Sequence, residues 1–187
     1  MRTEECLRIL AQHRTDEAII ATMTSAMLWP TLSDHPRDLI YIPSAMSAAP
    51  PIGLGLALAR PGLRVVVLNG DGSMLMNLGS LVTIAEQRPA NLVLIVFDNA
   101  LYAVTGGQPV PGGGRVDFAA IARAANWPCV HQIADPEEWE QALPEVLSAK
   151  GPVFVHLKVA SEPGSVIPPT VPMGERLARF RAALEPW

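Results

Sequence analysis

The sequence predicts a doubly wound α/β fold, a mostly parallel sheet with helices on both faces. Three observations lead there. Val65-Val66-Val67-Leu68 and Leu92 to Phe97 are apolar at every position, as strands covered on both sides must be. Amphipathic segments with helix caps separate such runs, so strand and helix alternate along the chain. The length of 187 residues suits one unit at about 150 residues per domain. Neither an internal repeat nor a low-complexity linker divides it, so residues 1–187 read as a single domain.

In chain order, Thr3 to His13 is a helix with Thr3 as a cap and Cys6, Leu7, Ile9 and Leu10 on one face. Ala18 to Thr22 is a buried strand, followed by a short helix near Ser25 to Leu28. Met23 and Met27, at helical spacing, are expected in the core. Leu39 to Ile42 is the next strand, and Pro51 to Ala59 a helix whose Gly53 and Gly55 allow close packing. Pro61-Gly62 turns the chain into the strand Val65 to Leu68. Leu78 to Gln87 is a helix, Leu92 to Phe97 a strand, and Asp117 to Asn126 a helix capped by Asp117. Pro136 to Leu147 is a helix with Asp135 as cap and Glu137 and Glu138 near its positive end. Val153 to Val159 is the last strand. Glu162 to Pro172 carries four prolines and reads as a non-regular crossing before a helix from Gly174 to Leu184.

Composition removes several classes of function. At 49% hydrophobic and 17% charged residues, the chain is not disordered. A net charge of −4 without a lysine/arginine run argues against nucleic acid. With 5% aromatics there is little to stack on bases or sugars. Cys6 and Cys129 form neither a zinc spacing nor a disulfide framework, which suits a reducing, cytoplasmic setting. Leu39 to Ala59 is uncharged for 21 residues, long enough to span a bilayer. Its Pro43, Pro50, Pro51, Ser44 and Ser47 make it a buried strand–loop–helix instead, so no membrane is expected. No secretory signal is expected at Met1. His13, His35, His131 and His156 lack ligand spacing and read as surface or satisfied core residues.

Ligands of open α/β sheets sit at the carboxyl ends of strands. Val65 to Leu68 runs into Asn69-Gly70-Asp71-Gly72-Ser73, where glycines on both sides of an aspartate let a ligand approach the backbone. The helix after Asn77 is expected to point its N-terminus the same way, favouring a phosphate. Leu92 to Phe97 ends in Asp98-Asn99, which with a backbone carbonyl gives an all-oxygen donor set suited to magnesium. Alone, Gly70-Asp71-Gly72 is equally a tight turn, and Asp98-Asn99 is more usually a turn or a helix cap. Together they stand 28 positions apart, Asp71 to Asn99, the length a βαβ unit needs to set two strand ends side by side.

Gly70-Asp71-Gly72-Ser73 through Asp98-Asn99 resembles the signature of thiamine-diphosphate enzymes. Met74-Leu75-Met76-Asn77-Leu78-Gly79 and Thr105-Gly106-Gly107-Gln108 resemble the diphosphate-binding half of sulfopyruvate and phosphonopyruvate decarboxylases. Ser44-Ala45-Met46-Ser47 resembles their glycine-serine-methionine-glycine loop, with Ser44 and Ser47 where glycine is usual and Ala45 where serine is usual. The resemblance implies Mg2+ ligands at Asp71, Asn99 and the Leu101 carbonyl. It implies diphosphate contacts at Gly70, Gly72 and Ser73, with Tyr102 also at the cofactor. It makes Met46 the wedge that bends thiamine diphosphate, and the Ser44 carbonyl the acceptor for its amino group.

The resemblance also implies a missing part. The glutamate that activates the pyrimidine of the cofactor belongs to a separate pyrimidine-binding domain, and no glutamate here stands in that context. The expectation is a β subunit of a split decarboxylase whose α subunit supplies that glutamate. Its substrate would be an anionic small-molecule 2-oxoacid, sulfopyruvate first. Phosphonopyruvate decarboxylation, acetolactate-synthase-like carboligation and a non-catalytic regulatory or scaffolding subunit are the alternatives.

Overall fold

The computed structural model describes residues 1–40, 46–160 and 171–185. Six parallel strands form one sheet: β1 (Ala18–Ala21), β2 (Asp38–Ile40), β3 (Val65–Gly70), β4 (Leu92–Asp98), β7 (Cys129–Ile133) and β8 (Val153–Lys158). Their spatial order is β2-β1-β3-β4-β8-β7. Two short strands, β5 (Leu101–Tyr102) and β6 (Gln108–Pro109), pair as an antiparallel hairpin.

Alternating side chains of the central strands feed two cores. On one face Val65, Val67, Leu92, Leu94 and Phe154 pack beneath α3 (Ala49–Ala59), α5 (Gly79–Gln87), α6 (Phe118–Ala124) and α8 (Met173–Ala183). On the other, Val66, Leu68, Val93, Ile95 and Val155 pack beneath α1 (Thr3–His13), α2 (Met23–Leu28) and α7 (Pro136–Ser148). Every residue of β4 is buried, and each large apolar side chain so placed contributes about 1.5–3 kcal/mol. Among the described residues no helix is long and apolar enough to cross a membrane.

The expected elements are present, with corrections. Asp117 and Asp135 do cap α6 and α7, accepting from Ala120 N and from Glu137 and Glu138 N. The first helix is capped at Arg2 rather than Thr3, with Glu5 accepting from the Arg2 backbone N. α3 begins at Ala49, with Pro50 and Pro51 in its first turn, where a missing N–H costs nothing. Gly53 permits close packing as expected: a Cβ there would lie 2.2 Å from Val67 Cγ2. Gly55 does not, since a Cβ there would meet nothing within 4 Å. β7 was not foreseen, because Cys129-Val130-His131-Gln132-Ile133 lacks the apolar run of an inner strand, and as an edge strand it needs none. Tyr41, Ile42 and residues 162–170 of the expected crossing lie outside the described residues.

Candidate functional site

The strand order fixes where a ligand can enter. The chain runs from β1 outward to β2, then returns to the other side of β1 to build β3 and β4. The carboxyl ends of β1 and β3 therefore border the crevice at which such sheets bind ligands. An open cleft lies there. Met46, Gly70, Asp71, Gly72, Ser73, Asn99, Leu101 and Tyr102 all line it. Ser44, the remaining residue singled out from the sequence, lies outside the described residues.

At the end of β3, where the glycines suggest a turn, the chain enters a short helix, α4 (Asp71–Leu75). It is this helix, not α5 beyond Asn77, whose first turn faces the cavity. Gly72 is forced to be glycine by its neighbour: a Cβ would lie 2.4 Å from Cε1 of Tyr102, so the ring packs on bare backbone. The Asp71 side chain is 3% exposed; its Oδ1 accepts from Gly72 N and its Oδ2 from Ala100 N, both at 2.8 Å. The second bond ties the end of β3 to the turn after β4. In that turn Asn99 Oδ1 accepts from Leu101 N at 3.0 Å, and Ala100 adopts a left-handed φ of 60°.

The charge balance is unusual. Asp98, one residue past the Gly70–Phe97 register pair as Asp71 is, sets a second carboxyl against the first. Burial, and then this neighbour, push the Asp71 carboxyl up to about 7, against the two backbone N–H bonds that oppose the shift. Burial acts on Asp98 too, but His156 Nε2 at 2.9 Å, with smaller help from the Asp71 carboxyl and Lys158, offsets it and leaves Asp98 below the usual carboxylate range. Among the described residues no basic side chain forms an ion pair with Asp71. A buried acid without a countercharge needs a proton or a cation. Carboxylate, amide and carbonyl oxygens on one wall suit a hard divalent cation.

Met46 reaches the same cavity from the turn before α3. The next residue, Ser47, holds a left-handed φ of 72°, and its backbone is gripped from both sides. Its N–H donates to Ser73 Oγ at 2.8 Å, and its carbonyl accepts from Asn77 Nδ2 at 3.3 Å. Ser73 thus fastens the Met46 turn to α4 as well as lining the cavity.

Sequence reasoning missed one wall. Thr22, Met23, Thr24 and Ser25 line the cavity at the end of β1. Met27 is core, as expected, but Met23 is not: it takes a φ of 55° at the cavity. The Thr22 hydroxyl is buried without a hydrogen-bond partner among the described residues. A polar residue closing an apolar strand was the available signal, but only the strand order shows that β1 and β3 are neighbours. Thr105 also lines the cavity, whereas Gln108 is exposed and stands outside it.

A parallel sheet with acid, amide and hydroxyl groups gathered at its switch point has the ligand-binding arrangement of doubly wound folds. Residues 22–157 match the family described as thiamine pyrophosphate enzyme, C-terminal TPP binding domain, and the chain belongs to that family. It is 42% identical over 152 residues to the sulfopyruvate decarboxylase subunit beta of Methanothermobacter thermautotrophicus, covering 80% of this chain and 77% of that one. It is 39% identical over 186 residues to the phosphonopyruvate decarboxylase of Streptomyces hygroscopicus, covering 96% of this chain but 45% of that one. The chain thus spans about half the length of the latter relative. Benzoylformate decarboxylase from Polynucleobacter necessarius shares the fold, with a TM-score of 0.72 at 21% identity over 90% of this chain and 34% of that one.

Proposed function

We propose that residues 1–187 form the diphosphate-binding domain, and the β subunit, of a split, cytoplasmic, magnesium-dependent decarboxylase that uses thiamine diphosphate on an anionic 2-oxoacid. The observation that carries this reading is Asp71, a buried carboxylate with no countercharge among the described residues, facing a cavity shared with Asn99 and Leu101. Those residues fit the cation: one charged oxygen from Asp71, the amide oxygen of Asn99 and the carbonyl of Leu101, with water and diphosphate oxygens to complete the set. Gly70, Gly72 and Ser73 lie where a diphosphate bound to that cation would rest, Tyr102 packs beneath, and Met46 forms the wall that would shape the rest of the cofactor. Thiamine diphosphate, when bound, supplies a carbon nucleophile and an electron sink for loss of CO2.

This chain's own part is to hold and orient. Among the described residues lining the cavity, Asp71 and Tyr102 are the ionisable side chains, and Asp71 is committed to the cation. The proton-handling glutamate is therefore assigned to a pyrimidine-binding α subunit. The names of the beta-subunit relatives support a two-chain assembly, and sulfopyruvate is the first substrate to test. The near-complete alignment to a phosphonopyruvate decarboxylase favours that substrate as the second reading. Acetolactate-synthase-like carboligation ranks below both, the similarity being 26%.

The test is CO2 release from sulfopyruvate, phosphonopyruvate and pyruvate, with and without a pyrimidine-domain partner. Turnover that requires the partner and favours a C3 anion is expected. Full turnover by the chain alone would overturn the split assembly, and preference for pyruvate would overturn the substrate class.

A further inference from the structure

His156 occupies a position at which the core calls for an apolar residue. It lies on β8 between Val155 and Leu157, fully buried, on the sheet face that also carries Phe154. Its register neighbour on β4 is Val96, and its ring meets Phe118 edge-on at 5.4 Å and 83°. Among the described residues Nδ1 has no hydrogen-bond partner, and the polar contact of the ring is Nε2 to Asp98 Oδ2, at 2.9 Å. Because a carboxylate only accepts, Nε2 carries the hydrogen. Burying an imidazole with one nitrogen unanswered is unfavourable, so this one hydrogen bond is what distinguishes histidine from the valine or phenylalanine that would pack there at lower cost.

What the bond holds is the residue immediately before Asn99. Asp98 is fixed at both ends, through its side chain by His156 and through its carbonyl, which accepts from Val159 N at 3.0 Å. From it the chain turns through Asn99 and Ala100 to Leu101, and Ala100 N reaches Asp71. We infer that His156 is a positioning residue: its Nε2–H locks the Asp98 carboxylate and thereby the Asn99–Leu101 turn, so that three oxygens from two strand ends meet one divalent cation. The inference rests on the cation reading proposed above.

Mn2+ serves as the probe, titrated into the full chain and followed by electron paramagnetic resonance, with circular dichroism to verify folding. Four proteins are compared: wild type, Asp71→Asn, His156→Gln, whose amide can place an N–H near the Nε2 position, and His156→Leu, which has no donor. Asp71→Asn should lose Mn2+ binding. His156→Leu should weaken it about tenfold or more, and His156→Gln should restore most of it. If wild type fails to bind Mn2+, or Asp71→Asn binds as wild type does, the cation reading falls and the positioning role with it. If binding is lost in Asp71→Asn but unchanged in a folded His156→Leu, the positioning role alone falls. Equal weakening in folded His156→Gln and His156→Leu assigns the effect to ring packing and also overturns it. Should the His156 variants not fold, the wild-type chain decides by nitrogen-15 NMR. The exchange-protected Nε2–H of His156 should shift on addition of Mg2+, and an unmoved resonance at saturating Mg2+ overturns the inference.

Discussion

Two of the acids buried among the described residues lie at opposite ends of the sheet, and they are treated differently. Asp38 begins β2 on the amino side, its side chain 6% exposed and paired with Arg14 at 2.9 Å, while Ser33 Oγ donates to its other oxygen at 2.6 Å. Asp71 follows β3 on the carboxyl side, 3% exposed, with a second acid beside it and, among the described residues, no arginine or lysine paired with it. Asp38 is neutralised by the chain itself, and the region around it is architecture, joining the end of α1 to an edge strand. Asp71 is left for something the chain does not contain. Burial is common to both, so burial does not mark the site; the missing countercharge does.

The largest effect should come from breaking the answered acid. Arg14→Met leaves Asp38 buried and unpaired, and should cost about 3–5 kcal/mol of stability by urea unfolding. The same experiment on Asp71→Asn should go the other way at pH 8 without divalent cation, because the variant removes a charge that nothing neutralises. A smaller loss much like that of a surface change in Arg14→Met would erase the contrast between the two regions.

A pH series sharpens it further. The Asp71 carboxyl is raised from the ordinary 3.8 to about 7 in the folded chain. Between those values the folded state holds a proton that the unfolded state has released, so stability falls as pH rises through the window, and the loss is complete above it. Metal-free wild type should therefore show a melting temperature that drops from pH 4 toward pH 7, a component that Asp71→Asn lacks. Added Mg2+ should raise the melting temperature more at pH 8 than at pH 5, and equal increments at both would contradict the assignment.

The smallest effect concerns strain beside the cavity. Ser47 holds a φ of 72°, a conformation that costs a non-glycine residue about 1–2 kcal/mol. Glycine there relieves the strain but gives back about 0.5–1 kcal/mol in chain entropy, so Ser47→Gly should stabilise by about 0.5 kcal/mol in calorimetric unfolding. Destabilisation would show that the Ser47 side chain itself matters.

How much of this was legible beforehand follows from what each feature depends on. The apolar runs of β3 and β4 and the caps at Asp117 and Asp135 are local, and they were read correctly. The Asp71 and Asn99 ends were placed together because one βαβ unit separates them and short connections leave little choice. The Thr22–Ser25 wall was not, because it depends on β1 lying between β2 and β3, an order that no local pattern encodes. Likewise His156 reads as an ordinary core histidine until the β4–β8 register brings it to Asp98, 58 positions away. Hydrogen bonds between distant strands are properties of the sheet, not of the segment.

Calorimetric titration of the full chain with thiamine diphosphate tests the central claim most directly, with and without Mg2+, for wild type and Asp71→Asn. Binding to wild type should require Mg2+ and should vanish in Asp71→Asn while that variant stays folded. Binding of equal strength without divalent cation, or undiminished in Asp71→Asn, would contradict the assignment of Asp71 as the acid that awaits a cation.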